Sequence, residues 1–383
     1  MGAAKAVSMT GADVRPEHSL AKTDEAEKQP MIANAQTMRA AANASGKSPF
    51  AMLREMMKLS RGPGKLTTED YLTYRLYDPN LSEEEKLRFA SDNQHWRIAG
   101  YKINERWLGV TEDKFFCSTL LSATGLPTPE TQAVIEPDGR TFGATPALRT
   151  SDELAAFLRE DAQFPLFGKP NAGVCSYGVR LITGIDGDHV IFEGAEPAPV
   201  ADFFEGLTDD TPYLLQSRLF NHDAIAALTP YLATVRLVHL VEPDAVQTPF
   251  AAIKIPSKTN IADNYWRAGN VLADIDVASG VIKRAITGKG PQTVDLETFP
   301  ETDAPLIGLE LPFWREAIEL GVATARVFAM QAYQSLDLAL TPTGPVIVEV
   351  NSGGAFELPQ LASGKGVLTD EVKAFFNEAG AKL

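Results

Sequence analysis

The sequence predicts an α+β protein built on antiparallel sheets and preceded by a helical lobe. Three observations carry this. From Pro49 to about Gly100 apolar residues recur at helical spacing; beyond that, short apolar runs alternate with Gly, Pro and Asp; and near the C-terminus two runs with period two flank a Pro-Thr-Gly turn. The 383 residues, 44% hydrophobic, suffice for two or three lobes around a substantial core. The formal charge of −15 argues against nucleic acid as a partner, because binding a polyanion relies on basic surface. Only Cys117 and Cys175 are present and the five His residues are scattered, so neither structural zinc nor a disulfide framework is expected. No apolar run approaches a membrane span, and the first residues lack the apolar core of a secretory signal. A cytoplasmic protein with no membrane partner is therefore expected.

Taken in order, residues 1–48 read as a flexible or loosely helical arm. Gly46-Lys47-Ser48 imitates the end of a phosphate-binding loop, but Ala41 replaces its first glycine and Pro49 blocks the continuation. Residues 49–110 form the helical lobe. Phe50, Leu53, Met56, Met57 and Leu59 lie at helical spacing, and Ser82-Glu83-Glu84-Glu85 is a helix start. A first α+β lobe is expected over 111–215 and a second over 216–383. Their strands are expected at Phe164 to Lys169, Val179 to Thr183, Val190 to Glu193, Tyr213 to Leu219, Leu232 to Val241, Phe250 to Ile255, Val271 to Val277 and Val281 to Ala285. Helices are expected at Ser151 to Arg159 and Pro312 to Gln331.

The most informative segment is the hairpin Ser335 to Asn351. Alternation places Leu336, Leu338, Leu340, Val346, Val348 and Val350 on one face and Asp337, Glu349 and Asn351 on the other. A turn centred near Thr343 sets Asp337 opposite Glu349, and like charges so placed destabilise a sheet unless a cation lies between them. Two carboxylates and an amide oxygen suit Mg²⁺ or Mn²⁺, which complete their coordination with water and substrate phosphates. A solvated acidic sheet face is the alternative. Upstream, the strand ending in Lys169 runs into the small-residue loop Gly173 to Gly178, whose backbone N–H groups can lie across phosphates. An ordinary hairpin loop has the same composition.

Together, Asp113-Lys114 with Thr124-Gly125-Leu126-Pro127, the Lys169 strand with its glycine loop, and Asp337 with Glu349-x-Asn351 resemble the ATP-grasp superfamily. Tyr71-Leu72-Thr73-Tyr74-Arg75-Leu76-Tyr77, Gly308-Leu309-Glu310-Leu311-Pro312-Phe313-Trp314 and Gly344 to Asn351 are similar to its sugar-transfer-associated branch. The resemblance spans roughly residue 50 to the end. It implies two lobes clasping ATP, with Lys114 and Lys169 on the phosphates and Gly173, Ser176, Tyr177 and Gly178 in the closing loop. Gln216 and Leu219 then lie at the adenine, the metal is held by Asp337, Glu349 and Asn351, and Arg236, assisted by Lys254, binds the transferred phosphate. Arg267, Asn270, Gly353 and Gly354 are candidate substrate contacts. The implied reaction is ligation of a small-molecule carboxylate to an amine through an acylphosphate, with a homodimer as an admissible assembly. A kinase using the same ATP site and a catalytically silent nucleotide-binding regulator are the rivals. The chain departs from the branch at Phe299-Pro300-Glu301-Thr302-Asp303, where relatives carry a His-Pro-x-Thr-Gly-like stretch.

Overall fold

The computed structural model describes residues 35–173, 176–207 and 211–383. Most of the expected arm, 1–34, lies outside them, but Ala35–Ser45 is a regular helix whose Ala41 is buried. It leads to helix Pro49–Arg61, started by Ser48, whose side chain accepts from Ala51 N, and by Pro49 in the first turn. Capping boxes at Thr67/Asp70 and Ser82/Glu85 begin Thr68–Thr73 and Glu83–Leu87. The apolar residues of Pro49–Arg61 do not share one face, as their spacing predicts. Met52, Met56 and Leu59 are buried, while Phe50, Leu53 and Met57 face outwards.

The first sheet comprises β1 (Thr131–Ile135), β2 (Ala147–Leu148), β3 (Leu166–Pro170), β4 (Arg180–Asp186), β5 (His189–Phe192), β6 (Ala198–Pro199) and β7 (Tyr213–Ser217), ordered β2-β1-β7-β3-β4-β5-β6. All its pairs are antiparallel except β1–β2, where the sequence predicts antiparallel sheets throughout. Helix Ser151–Glu160 covers one face through Leu154, Phe157 and Leu158. Strand β7 runs two residues past the boundary expected at 215 and sits between β1 and β3.

The second sheet comprises β8 (Thr234–Val241), β9 (Val246–Ile255), β10 (Val271–Ile275), β11 (Ile282–Thr287), β12 (Val294–Asp295), β13 (Tyr333–Thr341) and β14 (Gly344–Ser352), antiparallel throughout and ordered β12-β11-β10-β9-β8-β13-β14. Strand β9 starts four residues before the expected Phe250. Pro249 disguises that start, and a register shift against β8 accommodates it. Directly paired residues share a face. On one face Leu237, Ile253, Leu336 and Val350 pack with helix Trp314–Val327. On the other, Ala252, Leu272 and Ile286 meet the N-terminal helices and helix Glu357–Ser363, leaving Thr234, Arg236, Lys254, Asp337 and Glu349 towards the first sheet. Helix Lys114–Ala123 bridges the sheets. Phe115 packs with Val134 and Leu214 of the first, Cys117 and Leu121 with the core of the second.

In the β13–β14 hairpin Asp337 pairs with Glu349, as the alternation predicts. The facing of β14 does not follow strict alternation, because the register shifts between Asp337 and Leu338. Leu338 pairs with Ile347, so Val348 is the extra residue of a bulge. Ile347 and Val350 are therefore buried, while Val346 and Val348 leave the core face expected for them.

The helical lobe is held to the second lobe by a polar contact buried in apolar packing. Gln360 Nε2 donates to Ala90 O (3.0 Å) and its Oε1 accepts from Ala90 N (2.7 Å). Gln360→Ala strands both backbone groups, and we expect it to destabilise the fold by about 2–4 kcal/mol, read as a lower urea midpoint.

Candidate active site

The two sheets face each other across a cleft. Its lining is apolar at Phe167, Val179, Leu181, Leu219, Leu232 and Val348 and polar at Lys114, Lys169, Gln216, Asp337 and Glu349. The glycine loop borders it. Gly173 (φ +148°), Ser176 (φ +57°) and Gly178 (φ +70°) all adopt left-handed backbone, and Tyr213 donates from its hydroxyl to Gly178 O at 2.8 Å. Gly173, Ser176 and Tyr177 line the cleft, Gly178 anchors the loop beside Pro170, and Val174 and Cys175 lie outside the described residues.

Lys114 is the first residue of its helix. Asp113 caps that helix by accepting from Phe116 N at 2.9 Å, so the capping reading and the cleft reading of Asp113-Lys114 both hold. Lys114 Nζ donates to Gly173 O (2.7 Å) and pairs with Glu349 (3.2 Å). Lys169, on β3, is only 7% exposed and makes no side-chain hydrogen bond to any described residue. Burial and the neighbouring Lys114 push its ammonium down to about 8. A buried cation without a partner is costly, and an anion in the cleft removes that cost.

Beyond the lysines lies a neutral cluster of two cations and two anions. Arg236 grips Asp337 with two parallel hydrogen bonds (Nε–Oδ1 2.8 Å, Nη2–Oδ2 2.6 Å). Lys254 reaches Asp337 at 3.0 Å and Asp263 at 2.9 Å, and Thr234 donates to Asp263. Burial works to raise the Asp337 carboxyl, but Arg236 and Lys254 outweigh it and hold it well below the usual carboxylate range. Burial likewise opposes the charges on Arg236 and Lys254, and the facing carboxylates overcome it, raising both. The charge conflict expected between Asp337 and Glu349 is thus relieved by side chains: Asp337 by Arg236 and Lys254, Glu349 by Lys114.

Glu349 and Asn351 offer oxygen donors for a hard divalent ion beside Asp337, whose two oxygens are already engaged by Arg236 and Lys254. Among the described residues no three His, Cys, Asp or Glu side chains gather into a metal-holding group, so such a site needs Asn351 beside Asp337 and Glu349. Asn351 pairs with Ser335, two positions along β13 from Asp337, and its buried Nδ2 has no partner among the described residues. Turning the amide over presents Oδ1 there and completes a set of oxygen donors.

Other expected contacts fall elsewhere. Asn270 is 1% exposed and fully engaged within its own loop, donating to Ala262 O and Asn264 O and accepting from Ser257 N and Asn260 Nδ2. It organises the loop and is not a substrate contact. Arg267, on that loop, does not line the cleft. Gly353 and Gly354 (φ +83° and +92°) are buried, and a Cβ on them would meet Ile103 at 3.1 Å and the Ser335 hydroxyl at 2.1 Å; protein, not substrate, fills that space. Gln216 donates to Thr131 Oγ1 at 3.1 Å and lines the cleft from β7. Asp263 was not legible beforehand, because nothing in the spacing of a polar loop reveals that it folds back onto Lys254.

Two sheets closing on a cleft, one carrying the glycine loop and lysine and the other the acidic hairpin, define an ATP-grasp fold. A profile of the family described as sugar-transfer associated ATP-grasp matches residues 101–375, and the chain belongs to that family. No curated protein matches the sequence. Among solved structures, N5-carboxyaminoimidazole synthase from Aspergillus clavatus in complex with ADP and 5-aminoimidazole ribonucleotide is similar at 12% identity and TM-score 0.40, over 76% of this chain and 58% of that one. The D-alanine-D-alanine ligase from Coxiella burnetii is similar at 12% identity and TM-score 0.39, over 72% and 60%. The chain thus spans less than two-thirds of the length of these proteins.

Removing one partner from a buried ion pair is far more damaging than removing both. We expect Arg236→Met to destabilise the protein by about 3–5 kcal/mol, with much of the loss recovered in Arg236→Met/Asp337→Leu. Equilibrium unfolding of the four proteins of the cycle measures the coupling directly.

Proposed function

We propose that the cleft binds ATP and that the protein joins a carboxylate to an amine with release of ADP and phosphate. The observation that carries this reading is Lys169, a buried cation without a partner among the described residues, beside Lys114 in the polar part of an otherwise apolar slot. The apolar lining suits a purine ring, with Leu219 within it and Gln216 as a polar contact at its edge. Lys114 and Lys169 neutralise the phosphates, and the loop from Gly173 to Gly178 folds over them with its backbone N–H groups.

In the first step a substrate carboxylate oxygen attacks the γ-phosphorus, forming an acylphosphate as the bond to the ADP oxygen breaks. In the second an amine nitrogen attacks the acyl carbon, the C–O bond to phosphate breaks, and the amine proton is lost. Arg236 and Lys254 stabilise the charge developing on the transferred group. They are already rigidly held by Asp337 and Asp263, so little reorganisation is needed at the moment of reaction. Asp337, Glu349 and Asn351 would hold magnesium or manganese, which supplies further neutralisation of the phosphate oxygens. Glu349 then exchanges its pairing with Lys114, freeing that lysine for phosphate.

The test is an ATP turnover assay with magnesium and pooled carboxylic acids and amines, products resolved by mass spectrometry. Ligation gives ADP, free phosphate and a dehydrated adduct. A phosphorylated acceptor without free phosphate would identify a kinase instead. Glu349→Ala is expected to abolish turnover while leaving the fold intact; full activity in that variant would remove the hairpin from the metal site.

Lys169 also links binding to pH. Its ammonium is held at about 8 in the free protein, below the ordinary 10.5, and bound phosphate raises it again. Above pH 8 the free lysine is neutral, so nucleotide binding takes up a proton and affinity falls as pH rises, by up to about tenfold per unit. Calorimetry at pH 8.5 in buffers of different ionisation enthalpy reads this uptake. We expect Lys169→Met to bind more weakly and without it.

A further inference from the structure

Helix Pro49–Arg61 carries an outward surface that the cleft does not use. Phe50, Leu53 and Met57 are 77, 53 and 48% exposed, one helical turn apart on the side opposite the buried Met52, Met56 and Leu59. At 100° per residue Arg54 and Arg61 fall directly beside Phe50 on the same outward arc, with Lys58 next to them. At the C-terminal end of the helix the surface opens into a cavity lined by Arg61, Lys65, Arg97 and Lys382, with Tyr101, itself half exposed, at its side. Gln94, only 7% exposed, lies in the same lining. None of Arg54, Arg61, Lys65, Arg97 and Lys382 pairs with an acid among the described residues. The acids nearest the helix are already engaged: Glu55 with Lys47 and Lys86, Glu83 with Lys58, Glu84 with Arg88.

A chain with a net charge of −15 thus gathers five unpaired cations around one exposed apolar stripe, outside most of the segment that the family profile covers. We propose that this surface docks the protein on an anionic phospholipid bilayer. The apolar stripe enters the headgroup boundary with the helix lying in the plane of the interface, Arg54 and Arg61 meet headgroups along its edge, and the cavity accepts a headgroup phosphate. Charge selects this occupant. A second copy of the chain would oppose five cations to five cations, and a purely apolar partner would leave them unneutralised. The hydropathy of the sequence predicts no membrane partner because it tests for spans; an interfacial helix is recognised only from which side of it is left uncovered.

The test is co-sedimentation of the full chain with vesicles of phosphatidylcholine alone and of phosphatidylcholine with 30% phosphatidylserine. Binding is expected to the second only, and to weaken on raising salt from 0.1 to 0.5 M. Phe50→Glu/Met57→Glu, at exposed positions that do not burden folding, should abolish it, and each of Arg97→Glu and Lys382→Glu should weaken it by about fivefold or more. Equal sedimentation with both vesicle types, no sedimentation with either, or binding undiminished in the Phe50→Glu/Met57→Glu variant overturns the proposal. So does a concentration-dependent dimer that the same variant dissociates, which would give the stripe to a second copy, or protection of the stripe by residues 1–34, seen as binding that appears only when they are removed.

Discussion

The geometry of the cleft depends on one extra residue in β14. The hairpin turn pairs Thr341 with Gly344. Carried inward without interruption, that register would set Asp337 opposite Val348 and Glu349 opposite Leu336, turning the glutamate into the hydrocarbon core of the second sheet. A single-residue slip reverses the facing of everything beyond it. The bulge at Val348 supplies that slip. On the turn side Ile347 reaches the core; on the far side Glu349 comes round to the cleft, with Asn351 on the same face of the strand, while Val350 returns to the core. Val348 itself, left between the two registers, lines the apolar part of the cleft. A turn that closes tightly and a carboxylate that opens onto the cleft are incompatible in an unbroken strand pair.

Once Asp337 and Glu349 share a face, the distribution of charge follows. Asp337 is consumed by Arg236 and Lys254, and Lys254 by Asp263 as well, so this cluster is neutral and fixed. The remaining charges lining the cleft are Arg218, paired with Glu193, Lys114, paired with Glu349, and Lys169, which has no carboxylate partner among the described residues of a strongly acidic protein. Lys169 has thus paid for burial without gaining a partner among the described residues. A small phosphate would meet the desolvated lysine at contact distance even though the overall charge repels polyanions, because the surface acids are screened over about 10 Å.

The hairpin pairing was legible because alternation and the Pro-Thr-Gly turn point to the same register, and the Lys169 strand because its apolar run ends in a charged residue before small ones. The bulge was not, since Val346, Ile347 and Val348 are interchangeable in hydrophobicity and nothing in them marks which is extra. Strands β2, β6 and β12, of two residues each, carry no periodicity to read. Polar loop residues and glycines misled for a common reason. Asn270 has the composition of a ligand contact but satisfies backbone groups of its own loop, and Gly353 and Gly354 mark a close approach without saying of what. Asp263 pairs with a lysine nine positions earlier through a loop whose path only the folded chain reveals.

The close approach at Gly353 and Gly354 ties the helical lobe to the chemistry. These residues follow the donor set Glu349 to Asn351 by only a few positions, and the space a side chain would take there is occupied by Ile103 and Trp96 of the helical lobe and by Tyr333 and Ser335 of β13. Tyr333 donates to Gly354 O at 2.8 Å, and His95, buried and held neutral by desolvation, stacks edge-on against Tyr333. The end of β14 is therefore clamped between its own sheet and the N-terminal helices. A rigid clamp of this kind fixes where Asn351 points, since a displacement of the lobe large enough to free Ile103 would also release the left-handed turn that ends the strand. Helix Asp92–Ala99 thus turns Trp96 to the end of β14 while its Arg97 lines the outer basic cavity.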